Sequence, residues 1–114
     1  MEADGDFTWE NNLVQFIESL ENIITIPEAF YLGKPYPNPF NPVTTITYDI
    51  PMDCSIELSV YDLRGRLVKQ LITGYVAAGY YEIQWNAGTA SSGVYFLRLV
   101  SSEKAITRKI ILMK

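Results

Sequence analysis

Residues 36–42 read Tyr-Pro-Asn-Pro-Phe-Asn-Pro, and this segment constrains the fold more than any other part of the sequence. Its three prolines lack a backbone N–H and fix φ, so it cannot lie within a helix or a central strand. Each proline also pushes the residue before it toward extended geometry. The segment is therefore predicted to be a stiff, extended collar, anchored by Tyr36 and Phe40, that divides the chain into two unlike parts.

Composition excludes several classes of function. The chain has 114 residues, 48% hydrophobic and 13% aromatic, which is enough for one ordinary domain and an extension. Nine Lys and Arg against thirteen Asp and Glu give a net charge of -4, and no basic run could follow a phosphate backbone, so no nucleic-acid partner is expected. No apolar stretch approaches the roughly 20 residues that span a bilayer. The acidic first residues are unlike a signal peptide, so we expect no export signal at this N-terminus.

Catalysis and metal binding have little support in the sequence. There is no histidine, the commonest general base and transition-metal ligand, and the single Cys54 excludes an internal disulfide while leaving the redox compartment open. Paired carboxylates are the one catalytic arrangement that remains, with candidates at Asp49, Asp53, Glu57 and Asp62. Solvated strand ends and turns explain these residues better. No catalytic residue, cofactor or metal site is therefore predicted, and the chain is not expected to be an enzyme.

The residues before the collar have helical periodicity. Between residues 8 and 24, apolar side chains recur every three or four positions opposite a glutamate-rich side, which predicts an amphipathic helix. Residues 4–8 also resemble the second half of a calcium-binding loop, although an acidic N-cap region explains them without a metal. Residues 1–35 are predicted to be this short helix and a linker, the end of an upstream cargo region.

After Pro42 the hydrophobic period changes from 3.6 to 2, which predicts an all-β, Ig-like antiparallel β-sandwich of about six to seven strands in residues 43–114. The predicted strands are residues 44–50, 55–61, 66–71, 80–85, 94–100 and 105–112. A seventh strand from residues 26–32 is left open. Gly65 is predicted to take a positive φ in the hairpin loop 62–65. The predicted core includes Ile46, Tyr48, Ile56, Leu58, Val60, Trp85, Tyr95, Leu97 and Leu99.

Five motifs together resemble the type A C-terminal sorting domain of the type IX secretion system. They are the collar, Thr-Thr-Ile-Thr-Tyr-Asp-Ile-Pro at 44–51, Val-Tyr-Asp-Leu-Arg-Gly-Arg-Leu-Val at 60–68, Ser-Gly-Val-Tyr-Phe-Leu-Arg-Leu at 92–99 and Arg-Lys-Ile-Ile-Leu-Met-Lys at 108–114. The resemblance covers residues 36–114. At the level of the fold, the chain is also similar to the Ig-like domain of flagellar hook-capping proteins.

The resemblance implies a function in export. Such domains end exported proteins of Bacteroidetes-type bacteria, are recognised by the outer-membrane translocation machinery, and are commonly removed by a sortase-like peptidase. The cargo then reaches the cell surface or the medium after transit through the periplasm. Because no export signal or cargo domain is evident, the chain is expected to be the tail of a longer protein. By position, the family's motif falls on Pro37, Asn38, Pro39, Phe40, Asn41, Pro42, Gly65, Gly93, Tyr95 and Lys109.

Two further expectations concern surfaces. The C-terminal strand is expected to be a sheet edge whose unpaired backbone groups could accept a strand from a receptor. The alternative function is a carbohydrate-binding or adhesive Ig-like module, if enough of Tyr61, Tyr75, Tyr80, Tyr81, Trp85 and Tyr95 lay flat on one sheet face to stack on sugars. Core packing is the more ordinary role for these rings. The sequence leaves the oligomeric state open.

Overall fold

The computed structural model describes residues 26–114, which form seven strands and no helix. The strands β1 to β7 are, in order, Tyr31–Leu32, Val43–Ile50, Cys54–Asp62, Leu67–Val76, Gly79–Asn86, Gly93–Val100 and Ala105–Leu112. The all-β prediction is confirmed. The helix predicted between residues 8 and 24 and the calcium-like residues 4–8 lie outside the described residues.

The strands form two antiparallel sheets with the orders β1-β2-β5 and β4-β3-β6-β7. Each sheet has one face toward the other and one face toward solvent, so side chains alternate between buried and exposed along β2, β3 and β6. This arrangement confirms the predicted sandwich. Five of the six predicted strands differ from the observed bounds by no more than one residue at either end.

The core between the sheets contains every side chain that the alternation placed there. All nine predicted core residues are buried. They are joined by six more hydrophobic residues from the strand ends, the collar and the C-terminal strand: Leu32, Phe40, Ile50, Ala87, Ile110 and Leu112. Three of these additions, Leu32, Phe40 and Ala87, lie outside the six predicted strands, so alternation gave no signal for them.

Strand β4 is longer than predicted. The prediction ended it at Leu71, whereas it continues to Val76 through Gly74, whose φ is +128°. The pairing register with β3 shifts by one residue at two places, which leaves Val68 and Leu71 without partners in the ladder. Such bulges break the alternation of period 2 and increase the local twist. The strand is at a sheet edge, where this irregularity is tolerated. Because the alternation is broken, the hydrophobic pattern did not indicate where the strand ends.

The seventh strand, left open in the prediction, is the two-residue β1. Tyr31 pairs with Asp49 and Leu32 pairs with Tyr48. The N–H of Gly33 then donates to the carbonyl of Thr47 at 2.8 Å. Leu32 is fully buried. Residues just before the collar thus contribute to the core, while the predicted domain boundary at residue 36 stays a prediction.

Candidate functional site

The collar crosses from one sheet of the sandwich to the other. It begins on β2, where the backbones of Tyr36 and Thr45 exchange two hydrogen bonds of 3.0 and 2.9 Å. Beside them, the hydroxyl of the buried Thr44 donates to the carbonyl of Pro37 at 2.8 Å. At its far end the carbonyl of Pro42 accepts the N–H of Ala87 at 2.8 Å. Both ends of the collar are therefore fixed to the three-stranded sheet.

The middle of the collar bonds to the C-terminal strand of the other sheet. The side-chain Oδ1 of Asn38 accepts the N–H of Ile111 at 2.9 Å, and its Nδ2 donates to the carbonyl of Lys109 at 3.3 Å. The N–H of Phe40 donates to the carbonyl of Ile111 at 2.9 Å, and the carbonyl of Phe40 accepts the N–H of Met113 at 3.0 Å. We call these four hydrogen bonds the clasp. They join residues that lie 71 and more positions apart in the sequence.

An aromatic cluster lies beneath the clasp. Phe40 is only 2% exposed, and its ring centroid lies 5.3 Å from that of Trp85 in a tilted arrangement. Trp85 in turn makes an edge contact with Tyr95 at 5.7 Å. The hydroxyl of Tyr95 donates to the carbonyl of Ser91, which holds the loop before β6. Such offset and edge contacts add to the hydrophobic gain of burying the rings.

The clasp brings together most of the motif residues predicted from the sequence. Phe40, Tyr95 and the backbone of Lys109 lie in it or directly beneath it, and Gly93 pairs with Leu112 in the adjoining ladder. Gly93 has a φ of +154° with open space around it, so backbone conformation rather than crowding favours glycine there. The collar residues Pro37, Asn38, Pro39, Asn41 and Pro42 are exposed.

Gly65 lies outside the clasp, in the turn between β3 and β4. Its φ is +82°, as predicted, and its N–H donates to the carbonyl of Asp62 at 2.9 Å. The turn starts at Asp62, which is opposite Tyr95 in the ladder, so it lies at the same end of the sheet as Gly93. Gly65 is therefore a turn residue whose position is distinct from that of the collar.

Asp62 holds this turn through its ionised carboxylate. Its Oδ1 accepts the N–H groups of Arg64 and Arg66 at 2.9 Å, and its Oδ2 accepts Nε of Arg66 at 2.9 Å. These bonds, led by the backbone N–H of Arg66, lower the pKa of Asp62. The pKa of Asp62 in the folded state is lower than its unfolded value of about 3.9. The ionised carboxylate therefore stabilises the folded state fully above the unfolded pKa, and this stabilisation is lost as the pH falls through the folded pKa.

We therefore expect Asp62→Asn to lower the urea midpoint at pH 7, and the difference from the wild type to shrink as the pH falls below about 4. Urea unfolding between pH 2 and pH 7 measures this. Glu82→Gln removes one carboxylate from an exposed position on β5 and serves as the matched control. If the urea midpoints of the wild type and Asp62→Asn differed by the same amount at every pH in this range, the role of the ionised carboxylate would be contradicted.

The other candidate groups for chemistry have structural roles. Asp53 accepts the N–H of Ala78 at 2.9 Å, which fixes the turn before β5. Glu57 accepts bonds from Ser59 and Gln70 on neighbouring positions of the sheet. Within residues 26–114 no group of three or more carboxylate or thiol side chains is placed to hold a metal.

Cys54 is not an activated thiol. Its pKa is raised, mainly by desolvation and further by the carboxylates of Glu103 and Asp53. A raised pKa leaves little thiolate at neutral pH, and the thiolate is the nucleophile. Burial likewise raises the pKa of Asp49.

The prediction of an open C-terminal edge needs correction. The clasp occupies both outward-facing backbone groups of Ile111 and the carbonyl of Lys109. Outward-facing groups alternate along a strand, so those of Ala105 and Thr107 face the same way, and no hydrogen bond from residues 26–114 reaches them. The edge is therefore open only over its first half, because the collar covers the rest.

The side chains of β7 alternate between the two faces of the sheet. Ile110 and Leu112 are fully buried, whereas Lys109 is exposed on the outer face of the sheet. Arg108 lies on the inner side and reaches the other sheet, where its Nε donates to the carbonyl of Leu32 at 2.7 Å. The seam between β1 and β7 is thus closed by Arg108 and by the collar.

The aromatic rings do not form a platform for sugars. Trp85 and Tyr95 belong to the core, and Tyr81 stacks on Tyr48 at 5.2 Å. Tyr75 and Tyr80 are exposed, but they belong to β4 and β5, which are in different sheets. The flat array on one sheet face that the carbohydrate-binding alternative requires is therefore not formed.

Comparison with known proteins agrees with this geometry. The family model described as "Secretion system C-terminal sorting domain" matches residues 34–113, and the chain belongs to that family. The predicted type IX sorting domain is thereby confirmed, and with it a role as a secretion signal for proteins of the cell surface or extracellular space. A search of curated proteins gave no match.

A solved structure shares the fold. It comes from work on PorZ, described as an essential bacterial surface component of the type-IX secretion system of Porphyromonas gingivalis, with a TM-score of 0.50 and 22% sequence identity. The match covers 76% of this chain and 12% of the PorZ chain, so the chain spans only a small part of that protein's length. Residues 26–114 contain no helix long and apolar enough to cross a membrane.

Proposed function

We propose that residues 36–114 are a non-catalytic, folded address that passes through the periplasm and is recognised by the outer-membrane machinery of the type IX system. The clasp is the observation that carries this proposal. It joins Asn38 of the collar to Lys109 and Ile111 of the C-terminal strand, at separations of 71 and 73 positions. Motif residues that are remote in sequence become one surface only when the domain has folded.

The collar also determines how cargo is attached. Its two ends bond to the three-stranded sheet at Thr45 and Ala87, and its middle bonds to β7. The backbone of the collar bends at residues 37–39 and 41–42, and it is stiff because φ is fixed at each proline. Whatever precedes the collar therefore leaves the domain from one fixed place, and the surface offered to a receptor is independent of the cargo.

Removal of the domain by a sortase-like peptidase would require accessible backbone upstream of the collar. We propose that the cut falls between residues 24 and 36, and that it precedes β1. Leu32 is buried, and Gly33 and Tyr36 are hydrogen-bonded to β2, so these positions resist a protease. Brief treatment with a nonspecific protease followed by mass spectrometry tests this. A first cut within β2 to β7 would contradict it.

Lys109 tests whether the exposed part of the strand is recognised. Only its backbone takes part in the clasp, and its side chain is exposed, so Lys109→Ala should change the free energy of unfolding by no more than about 0.5 kcal/mol. We expect this variant to melt normally and to be exported poorly, because a receptor surface of opposite charge would lose its partner. Lys104→Ala, in the turn before β7, is the matched control. Normal export of Lys109→Ala would remove this lysine from the address.

Export of a reporter tests the proposed function as a whole. The full chain of 114 residues, which includes β1 and the buried Leu32, is fused to a reporter that carries a periplasmic export signal, in a bacterium that has the type IX system. We expect the reporter at the cell surface or in the medium. Retention in the periplasm would contradict the proposal. Binding of the isolated chain on a glycan array would instead support the carbohydrate-binding alternative, which the dispersed aromatic rings do not favour.

A further inference from the structure

The outer face of the four-stranded sheet carries a shallow apolar cleft. Its volume is about 280 Å³, and its lining includes Tyr61, Leu63, Phe96, Arg98 and Thr107. Tyr61 pairs with Phe96, and Arg98 pairs with Thr107, so these side chains form neighbouring rows on one face. Leu63 is 69% exposed at the rim. Apolar side chains gathered in this way on a solvent face favour an interaction surface.

Charges of both signs lie around the cleft, because Asp62 also lines it, but in the described part of the chain only the cations are without a partner. Lys109 is opposite Phe96 in the ladder and shares the face with Arg98. The carboxylates nearest in the sheet, Asp62 and Glu57, already accept hydrogen bonds from the turn and from neighbouring side chains. Among residues 26–114 the one ion pair joins Arg66 to Asp62, so neither of these two cations has a carboxylate partner there.

The open half of the β7 edge adjoins the same cleft. Thr107 lines the cleft, and its backbone N–H and carbonyl point away from β6 toward the open edge. The backbone N–H and carbonyl of Ala105 point the same way. In a strand added at this edge, the residue that pairs with Thr107 would have its side chain on the outer face of the sheet. That side chain would lie beside Lys109 and point toward Arg98. The collar ends this free stretch at the carbonyl of Lys109. A short extended segment can pair with this free stretch of β7, whereas a longer one would clash with the collar.

We infer that the open stretch of β7 and the cleft beside it bind an extended peptide segment of the export receptor that carries acidic side chains on the outer face, which Phe96, Arg98 and Lys109 share. The inference rests on the proposed function and adds the chemistry of the partner. Backbone bonds to Ala105 and Thr107 supply the pairing, and Arg98 and Lys109 select for acidic residues.

The test in solution uses the full chain of 114 residues, labelled with ¹⁵N. The probes are two peptides, acetyl-Thr-Val-Glu-Val-Glu-Val-Thr-amide and the same peptide with Lys in place of Glu. We expect the Glu peptide to shift the amide signals of Thr107, Lys109 and Phe96, and to bind about tenfold tighter than the Lys peptide, since attraction at two sites is replaced by repulsion. Arg98→Glu combined with Lys109→Glu should reverse the preference.

Several results would overturn the inference. They are equal binding of the two peptides, no binding up to millimolar concentration, and shifts confined to another sheet edge, at β4 or β5. Residues 1–25 contain six Asp and Glu and no Lys or Arg, so they are a rival occupant. If deleting residues 1–25 shifted the Thr107 signal without any peptide, this segment would be the occupant. If the Thr107 amide signal moved as the protein concentration was raised, the occupant would be a second copy of the chain.

A test in cells separates this inference from the proposed function. The export reporter carries Arg98→Glu, or the control Lys69→Glu on β4 at the opposite edge of the same sheet. We expect surface delivery to fall for Arg98→Glu at an unchanged melting temperature and to persist for Lys69→Glu. If the wild-type fusion is exported and Arg98→Glu is exported equally well, the inference fails and the sorting function stands. If the wild-type fusion stays in the periplasm, the sorting function itself fails.

Discussion

Replacing Phe40 by alanine is expected to lower the free energy of unfolding by about 3–5 kcal/mol, the usual cost of truncating a buried aromatic ring. Phe40 is 2% exposed and contacts Trp85, so the cavity would open in the centre of the aromatic cluster. For a domain of this size the loss lowers the melting temperature by well over 10 °C. Thermal and urea unfolding, followed by tryptophan fluorescence, measure it directly.

The matched control is another aromatic residue of the collar. Tyr36 is 79% exposed, and only its backbone bonds to β2. Tyr36→Ala should therefore cost less than about 1 kcal/mol, as surface substitutions do. If Phe40→Ala were as mild as Tyr36→Ala, the ring of Phe40 would not anchor the collar, and the account of the clasp would be wrong.

Deleting residues 109–114 is expected to unfold the domain and to abolish export. The deletion removes Ile110 and Leu112, both fully buried, and all four backbone groups with which the collar forms the clasp. Each large aliphatic residue lost from a core costs about 2–5 kcal/mol, and whole domains are stable by only about 5–15 kcal/mol. Circular dichroism and the export reporter measure the two effects.

Deletion of Lys114 alone is the matched control for this truncation. Lys114 is exposed and bonds to Ser92 and Gly88 at the surface, so its loss should leave a cooperative transition near that of the wild type. Because stability and export fail together in the longer deletion, a point variant that leaves the fold intact, such as Lys109→Ala, is what distinguishes recognition from folding. A chain lacking residues 109–114 that still melted cooperatively near the wild-type temperature would contradict the core assignment.

The parts of the fold that the sequence predicted are those governed by local periodicity. Along β2, β3 and β6 one face is buried and the other is wet, so the hydrophobic pattern alone identified Ile46, Leu58 and Leu97 as core residues. The turn at Gly65 was likewise predicted from its own four residues, because a positive φ there requires glycine.

The parts that sequence reasoning missed depend on contacts between distant residues or on broken periodicity. The two register shifts in β4 remove the alternation that would have shown its true length. Strand β1 has only two residues, too few for any pattern. Nothing local to Asn38 indicates that its amide bonds to the C-terminal strand. The three prolines around it predicted an extended segment, whereas the collar bends at residues 37–39 and 41–42.

The same limit applies to the candidate site. The motif residues were named by resemblance, and their shared position became evident only from the clasp, in which the collar covers half of the edge expected to be open. The cleft beside Phe96 and Arg98 was not predicted, because it forms from three strands. The alternation of exposed residues along β6 and β7 was the one available signal for it.

The central claim is that the address includes the joined collar and C-terminal strand, and the surface-delivered fraction of a reporter carrying Asn38→Ala tests it most directly. This variant removes both side-chain bonds of the clasp and leaves the buried ring of Phe40 in place, so the domain stays folded. Gln84→Ala, an exposed amide on β5, is the control. At a temperature where both variants are folded, we predict that surface delivery falls for Asn38→Ala and is normal for Gln84→Ala. Normal delivery of Asn38→Ala, with faster amide exchange at Ile111 to prove that the clasp had opened, would contradict the account.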